Sequence, residues 1–195
     1  MQDLLAISEQ NQRMAREIIR ELAIEKIWQQ FGATANLVGS LRTGLFMDRL
    51  DIDFHIYSDN FVLADSFAAM ARMAENPRIL RIQYANLLET DEKCLEWHAW
   101  YKDRDDREWQ IDLIHILRGS QYDGYFEKVA DRIAAVLTPE TRRAILTIKH
   151  ELPADAQVLG IEVYQAVIAY GVRDTKEFMQ WKASRPASAI VEWMP

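Results

Sequence analysis

Cysteine is almost absent from this chain of 195 residues, where Cys94 is the only one. A single cysteine excludes an internal disulfide, and such scarcity is typical of proteins from a reducing compartment. No window approaches the roughly 18 consecutive apolar residues of a membrane span. The first 22 residues carry charges throughout and lack the apolar core of a signal peptide. We therefore expect a cytoplasmic protein that does not enter a membrane.

Basic charge is also in short supply. The chain has 23 Lys and Arg residues against 30 Asp and Glu residues, which gives a net charge of −7. Proteins that bind duplex nucleic acid usually present a broad basic surface, so this balance argues against such a partner. The hydrophobic fraction of 49% and the charged fraction of 27% are ordinary for globular proteins. A chain of this length buries a core without disulfides or metals to support it.

Hydrophobic periodicity predicts an α+β fold with a mixed, largely antiparallel sheet and flanking helices. Apolar residues recur at helical spacing over residues 3–31, and strict alternation marks LDIDFHIY as a strand. Three more strands are expected in RILRIQYANLLE, CLEWHAWYK and EWQIDLIHIL, the last two joined by DRDDRE as a hairpin. Strands and helices do not alternate strictly, which favours antiparallel pairs over a doubly wound parallel sheet.

After Gly119 the pattern becomes helical, with four amphipathic segments. Pro139 lies near the start of the second segment, and Asp174 is placed to cap the fourth. We therefore predict an α+β domain over residues 1–118 and a C-terminal helical domain over residues 119–195.

Two aspartates stand one residue apart in the strand LDIDFHIY. Asp51 and Asp53 share one face of the strand, and buried like charges are unfavourable unless something neutralises them. Mg²⁺ is well suited to this because it prefers carboxylate oxygens together with substrate phosphates. Asp112 lies in another apolar run, WQIDLIHIL, and would complete a two-metal site if that strand pairs beside the first. Alternatively, Asp51 and Asp53 face solvent, and Asp112 forms a structural ion pair with an arginine.

A glycine-serine turn precedes the aspartate pair. Gly39 lets the backbone bend tightly after a strand, and Ser40 offers a hydroxyl beside free backbone N–H groups. This combination predicts a phosphate-binding turn, although Ser40 also suits a helix N-cap.

These motifs resemble the DNA polymerase β-like nucleotidyltransferase superfamily, and most of all its small bacterial members. That family carries a strand, a Gly-Ser-x-x-x-Gly turn, an Asp-x-Asp strand and a later strand with a third Asp. The matching segments here are GSLRTG at residues 39–44, DID at residues 51–53 and the single Asp112. The family often has Ser before the first Asp, where this chain has Leu50.

The resemblance implies a Mg²⁺-dependent enzyme that moves a nucleoside monophosphate from a nucleoside triphosphate, with ATP as the expected donor, to a hydroxyl of a small molecule or protein. Two Mg²⁺ ions would be held by Asp51 and Asp53, with Asp112 holding the catalytic ion or activating the acceptor hydroxyl. Gly39, Ser40 and Arg42 would bind the nucleotide. The alternative is a non-catalytic member of the fold that binds a nucleotide or a partner protein.

Several other residues have two interpretations. A basic group near residue 149 is usually a solvated helix face, but we select Lys149 as the member that reaches the triphosphate. His55 shares the aspartate face and is interpreted as structural. Trp97 and Trp100 fall on opposite faces of their strand, so one belongs to the core and the other is placed to line an acceptor cleft.

Overall fold

The computed structural model describes residues 3–153, 156–185 and 191–195. The strands are β1 (Ala33–Leu37), β2 (Asp51–Ser58), β3 (Ile79–Leu87), β4 (Cys94–Lys102) and β5 (Glu108–Ile116). The helices are α1 (Leu4–Leu22), α2 (Ile24–Gln30), α3 (Gly39–Thr43), α4 (Leu63–Ala74), α5 (Tyr125–Val136), α6 (Pro139–Glu151), α7 (Gly160–Tyr170) and α8 (Thr175–Ala183). Within these ranges no helix has both the length and the apolar character to cross a bilayer.

The five strands form one sheet in the order β1-β2-β5-β4-β3. Only β2 and β5 are parallel, and the other three pairs are antiparallel. The predicted α+β class with a mixed, largely antiparallel sheet is therefore confirmed.

The connection between β4 and β5 is the predicted hairpin, and one aspartate organises it. The Asp103 carboxylate accepts hydrogen bonds from the backbone N–H groups of Asp105 and Arg107, and from the side chains of Arg107 and Trp109. These bonds hold the turn and set Lys102 opposite Glu108. The register of the whole hairpin follows from this turn.

The helix predicted over residues 3–31 is two helices rather than one. Asp3 caps α1 through the N–H groups of Leu5 and Ala6, and Ala23 then adopts a left-handed conformation with φ of 49°. This residue ends α1 and starts α2, which helical periodicity alone does not reveal.

The sheet is buried on one face. Residues with the parity of Ile52 and Ile111 form the main core with side chains from α1, α2 and α4. A second core joins Leu45 to α5, α6, α7 and α8. Asp51, Asp53 and Asp112 have the opposite parity, so the sheet presents its polar face beside the C-terminal helices. The division into domains at residue 118 stays a prediction.

Pro139 and Asp174 stand where the sequence places them. Pro139 is the first residue of α6, and Asp174 caps α8 by accepting a hydrogen bond from the N–H of Glu177 at 2.8 Å.

Candidate functional site

The parallel pairing of β2 and β5 brings the aspartates of the two strands together. Asp53 lies directly opposite Asp112 in the register, and Asp51 lies opposite Gln110. These four side chains project from the polar face of the sheet because their strand neighbours Ile52 and Ile111 are fully buried on the other face.

Burial and mutual repulsion raise the pKa of the β2 carboxyls. The pKa of Asp53 is raised well above its usual range by burial first and then by the negative charges of Asp51 and Asp112. The pKa of Asp51 is raised by burial and, to a smaller extent, by Asp112. Lys149 lowers the pKa of both groups and so partly offsets the repulsion. Such a set of oxygen donors gains from a cation, and hard divalent ions prefer oxygen ligands.

Asp112 is held by its neighbours on one oxygen only. His98 Nδ1 lies 2.6 Å from Asp112 Oδ1, and Gln110 Nε2 donates to the same oxygen at 2.9 Å. The hydrogen bond between His98 and Asp112 raises the pKa of His98. The alternative interpretation paired Asp112 with an arginine, but its charged partner in the structure is a histidine. Oδ2 makes no hydrogen bond to the described residues, so it is the oxygen left for a ligand.

The carboxylates face one another without forming a finished metal cage. Among the described residues, no three His, Cys, Asp or Glu side chains are already arranged around one metal position. The donor set nevertheless fits Mg²⁺, because two partly buried carboxylates with raised pKa values lie beside a third that has a free oxygen. The three-carboxylate metal site stays a prediction.

Gly39 is required by the close approach of Asp53. Its φ is +63°, and a Cβ placed there would lie 2.0 Å from Asp53 Oδ2. The backbone N–H of Val38 also donates to the carbonyl of Asp53 at 2.9 Å. The glycine-serine turn is therefore packed directly against the second aspartate, and the contact that glycine permits is with this carboxylate.

Ser40 carries a buried hydroxyl without a hydrogen-bond partner in the part of the chain that the structure describes. Its Oγ atom is buried and makes no hydrogen bond to any described residue. Ser40 lines a cavity of about 420 Å³ together with Asp51, Asp53 and Lys149. A buried hydroxyl normally has a hydrogen-bond partner, so this unpaired atom indicates a ligand position.

We name this 420 Å³ cavity the donor cavity. Lys149 reaches it from α6. Its Nζ donates to the carbonyl of Leu45 at 2.7 Å and lies 3.4 Å from the hydroxyl of Tyr164. The structure thus brings Lys149 next to the carboxylates. Arg143 of the same helix is exposed.

Arg42 points elsewhere. Its guanidinium makes two hydrogen bonds to Asp131 on α5, at 2.8 and 2.9 Å, and a third to the carbonyl of Leu37. Arg42 does not appear among the described residues that line the donor cavity. This placement gives Arg42 a structural role between α3 and α5, and it does not support the expectation that Arg42 binds the nucleotide.

A second cavity, of about 940 Å³, meets the first at Asp51. We name it the outer cavity, and Asp112 and Gln110 line it, whereas Asp53 and Ser40 line only the donor cavity. Trp100 lines the outer cavity, and Trp97 is 3% exposed in the core, as their opposite parity predicts.

His98 and Gln110 are site residues that sequence reasoning missed. Gln110 is two residues from Asp112 and therefore shares its face. The position of His98 can be found from the hairpin register. Lys102 pairs with Glu108, and four further steps away from the turn along both strands place His98 opposite Asp112. His55, interpreted as structural, lines the donor cavity and packs edge-on against Phe126.

No protein-family model matches the chain, and no curated protein matches it significantly in sequence. Solved structures do share its fold. Cid1 poly(U) polymerase bound to MgGTP has a TM-score of 0.61 at 14% identity, covering 84% of this chain and 51% of that one. A cytoplasmic RNA terminal U-transferase has a TM-score of 0.56 at 12% identity, covering 87% of this chain and 52% of that one. Cid1 with the UTP analogue UMPNPP has a TM-score of 0.58 at 12% identity, covering 84% of this chain and 50% of that one.

The chain spans about half the length of these solved structures. At such identities the likeness establishes the fold, which is that of a nucleotidyltransferase.

Proposed function

We propose that this chain is a Mg²⁺-dependent nucleotidyltransferase that moves a nucleoside monophosphate from a nucleoside triphosphate to a hydroxyl of a small molecule or protein. The observation that carries the proposal is the convergence of Asp51, Asp53 and Asp112 where two cavities meet. The fold shared with solved nucleotidyltransferases supports it.

The donor cavity is suited to the nucleoside triphosphate. Its volume of about 420 Å³ is within the range of small-ligand sites, and Ser40 Oγ offers a hydrogen bond that no described residue uses. Lys149 supplies a positive charge at the same place. A triphosphate placed here would have its reacting end at Asp51 and Asp53.

Asp51 and Asp53 would hold two Mg²⁺ ions, and these ions would neutralise the charge of the phosphates. Asp112 Oδ2 would accept the proton of the acceptor hydroxyl. The acceptor oxygen then forms a bond to the α-phosphorus as the bond to the bridging oxygen breaks, and pyrophosphate leaves. His98 and Gln110 fix Oδ1, and so they aim Oδ2 toward the acceptor.

The test is nucleotide binding with and without Mg²⁺, measured by thermal shift for wild type and three variants. ATP is the expected donor, and UTP is included because one solved structure of this fold contains a UTP analogue. Ligand at a hundredfold excess over its dissociation constant stabilises the folded state by about 2.7 kcal/mol. Asp53→Asn should abolish the Mg²⁺-dependent shift, and Ser40→Ala should reduce it. Arg143→Met, on the exposed side of α6, should leave it unchanged. A full Mg²⁺-dependent shift in Asp53→Asn would refute the metal assignment.

Asp112→Asn separates an enzyme from a nucleotide-binding protein. We expect this variant to bind Mg²⁺ and nucleotide but to lose transfer by roughly 10²–10⁴-fold, the usual scale for a lost general base. The non-catalytic alternative predicts that wild type and variant both bind nucleotide and neither transfers it. The readout is radiolabelled nucleotide on a panel of hydroxyl compounds.

A further inference from the structure

The outer cavity lies on the Asp112 side of the carboxylates and extends along the polar face of β5 and β4. Glu108, Gln110 and Asp112 follow each other at every second residue of β5, so their side chains share this face. Trp100 of β4 lies opposite Gln110 in the register, between the levels of Glu108 and Asp112. All four residues line the outer cavity.

Trp100 provides an aromatic surface in this cavity. The guanidinium of Arg81 lies 3.6 Å from the centre of its ring, which fixes the indole at the sheet surface. Trp100 is only partly buried despite this cover. An indole held in this way offers a contact area for the carbon skeleton of a bound molecule.

The charges of the outer cavity are mostly negative. Five carboxylates line it against two cationic side chains. Lys182 is paired with Glu162, and Arg49 donates its hydrogen bonds to the carbonyls of Val158 and Ala156. The carboxylate of Glu108 has no hydrogen bond or ion pair to any described residue. It is therefore available to a positively charged ligand.

We propose that the outer cavity binds the acceptor, and that the acceptor is a small cationic alcohol. Its hydroxyl lies at Asp112, its carbon skeleton contacts Trp100 and its positive group pairs with Glu108. Four residues of strand separate Asp112 from Glu108, which corresponds to roughly 13 Å. The acceptor therefore carries its positive charge on the order of 10 Å from the hydroxyl that receives the nucleotide. The proposal rests on the proposed function, because Asp112 defines the hydroxyl end.

An RNA 3′ end is the competing acceptor, since the solved structures of this fold include RNA terminal U-transferases. A phosphodiester chain is bound through several Lys and Arg contacts. The outer cavity presents an unpaired carboxylate instead. The two cations that line it are engaged within the protein, and the nearby Arg81 is stacked on the Trp100 ring. The charge distribution therefore favours the cationic alcohol.

The experiment is a ligand-observed NMR titration of wild type saturated with Mg²⁺ and a non-hydrolysable ATP analogue. The probes are a ten-carbon amino alcohol, the diol and the hydroxy acid of the same length, a three-carbon amino alcohol and a short oligouridylate. We expect the long amino alcohol to bind about tenfold more tightly than the diol, the scale of one charge-assisted hydrogen bond. The hydroxy acid and the short amino alcohol should bind more weakly still.

Three variants assign the effect to residues. Glu108→Gln should remove the advantage of the amino alcohol over the diol, and Trp100→Ala should weaken both compounds. Glu89→Gln, an exposed carboxylate in the turn after β3, is the control and should change neither. Oligouridylate as the tightest probe would overturn the inference in favour of RNA. Equal binding of amino alcohol and diol, or an advantage that survives Glu108→Gln, would also overturn it.

The same samples separate this inference from the proposed function. Normal Mg²⁺-dependent nucleotide binding without amino alcohol binding refutes the acceptor class alone. Absence of nucleotide binding refutes the proposed function. In that case the titration is repeated without nucleotide, and loss of the preference in Glu108→Gln still decides whether the outer cavity selects cations.

Discussion

At the scale of single residues, the site depends on how closely Gly39 approaches Asp53. Gly39 combines a left-handed backbone with a contact that leaves no space for a side chain, because an added Cβ would lie 2.0 Å from Asp53 Oδ2. Gly44, five residues later, has a similar φ of +73° but nothing within 4 Å of an added Cβ. The two glycines therefore separate backbone strain from collision with the carboxylate.

We predict that Gly39→Ala and Gly44→Ala both lower the free energy of unfolding by about 1 kcal/mol through the left-handed backbone. Only Gly39→Ala should also displace Asp53, with a further loss of stability and at least about tenfold weaker Mg²⁺-dependent nucleotide binding, a change of about 1.4 kcal/mol. Chemical denaturation and nucleotide titration measure the two effects. Equal nucleotide affinity in the two variants would show that the Asp53 contact does not matter.

A second residue-scale prediction concerns His115, which is 1% exposed. Its ring nitrogens lie 2.7 Å from Ser58 Oγ and 3.2 Å from Ser66 Oγ, and burial lowers its pKa from 6.5 to about 4. Between these two values the unfolded chain takes up a proton that the folded protein does not. Stability should therefore fall as the pH drops from about 6.5 to about 4, by up to about 3 kcal/mol.

Urea denaturation across this pH range measures the effect of His115. The His115→Gln variant lacks the titrating ring, so it should lose less stability than wild type as the pH drops over this range. Identical pH slopes would contradict the lowered pKa of His115. The carboxyls whose pKa is raised, Asp51 and Asp53, act in the opposite sense over this range, but they are present in both proteins and do not affect the comparison.

Much of the site could be predicted from single residue types and their spacing. The pair Asp51 and Asp53 and the glycine-serine turn are local, so strand parity and turn chemistry reveal them. Asp112 follows from its unusual place in an apolar run. The hydrogen-bond partner of Asp112 could not be predicted from local spacing, because His98 lies opposite Asp112 only through the register of the hairpin. The direction of Arg42 is likewise set by Asp131, which is 89 positions away in sequence.

At the scale of elements, α3 is placed by two neighbours. Leu41 of this five-residue helix is fully buried in the main core, and Arg42 connects it to Asp131 on α5. The side chain of Asp131 is 62% exposed, so this ion pair is a surface interaction. Exposed pairs usually contribute no more than about 1 kcal/mol.

We predict that Arg42→Gln lowers stability by at most about 1 kcal/mol and leaves nucleotide affinity within about twofold of wild type. The control is Asp131→Asn, which removes the same ion pair from the other side but leaves the Arg42 bond to the Leu37 carbonyl in place, so it should lower stability by no more than Arg42→Gln does. Thermal unfolding and nucleotide titration measure both. A strong loss of nucleotide affinity in Arg42→Gln, but not in Asp131→Asn, would show that Arg42 contributes to nucleotide binding.

Element boundaries were harder to predict than element types. Every predicted strand is present, and the break at Ala23 is the main error in the N-terminal half. Alanine is a strong helix former, so local propensity favours continuing the helix. Tertiary packing overrides it, because Leu22 and Ile24 on either side of the break are both buried in the main core.

At the scale of the whole molecule, the helices after residue 119 line the donor cavity together with residues of the sheet. Among the described residues of this segment, Lys149 of α6 partly offsets the charge of both β2 carboxyls. Val163 and Tyr164 of α7 line the donor cavity and belong to the second core. The packing of the C-terminal helices is therefore coupled to the electrostatics of the site.

This coupling gives the last prediction, a double-mutant cycle between Lys149 and Asp53. Lys149 lowers the pKa of Asp51 and Asp53, so Lys149→Met should raise both and destabilise the metal-free protein at neutral pH. A loss of about 1 kcal/mol would lower the melting temperature by roughly 2–4 °C for a chain of this size.

In the Asp53→Asn background one of the two carboxylates is neutral, and the same Lys149→Met change should lower the melting temperature less. The bonds of Lys149 to Leu45 and Tyr164 are lost equally in both backgrounds, so the difference reports the charge interaction alone. Arg143→Met is the control in each background. Equal losses in the two backgrounds would show that Lys149 stabilises the protein through those bonds, and that the C-terminal helices do not balance the charge of the carboxylates.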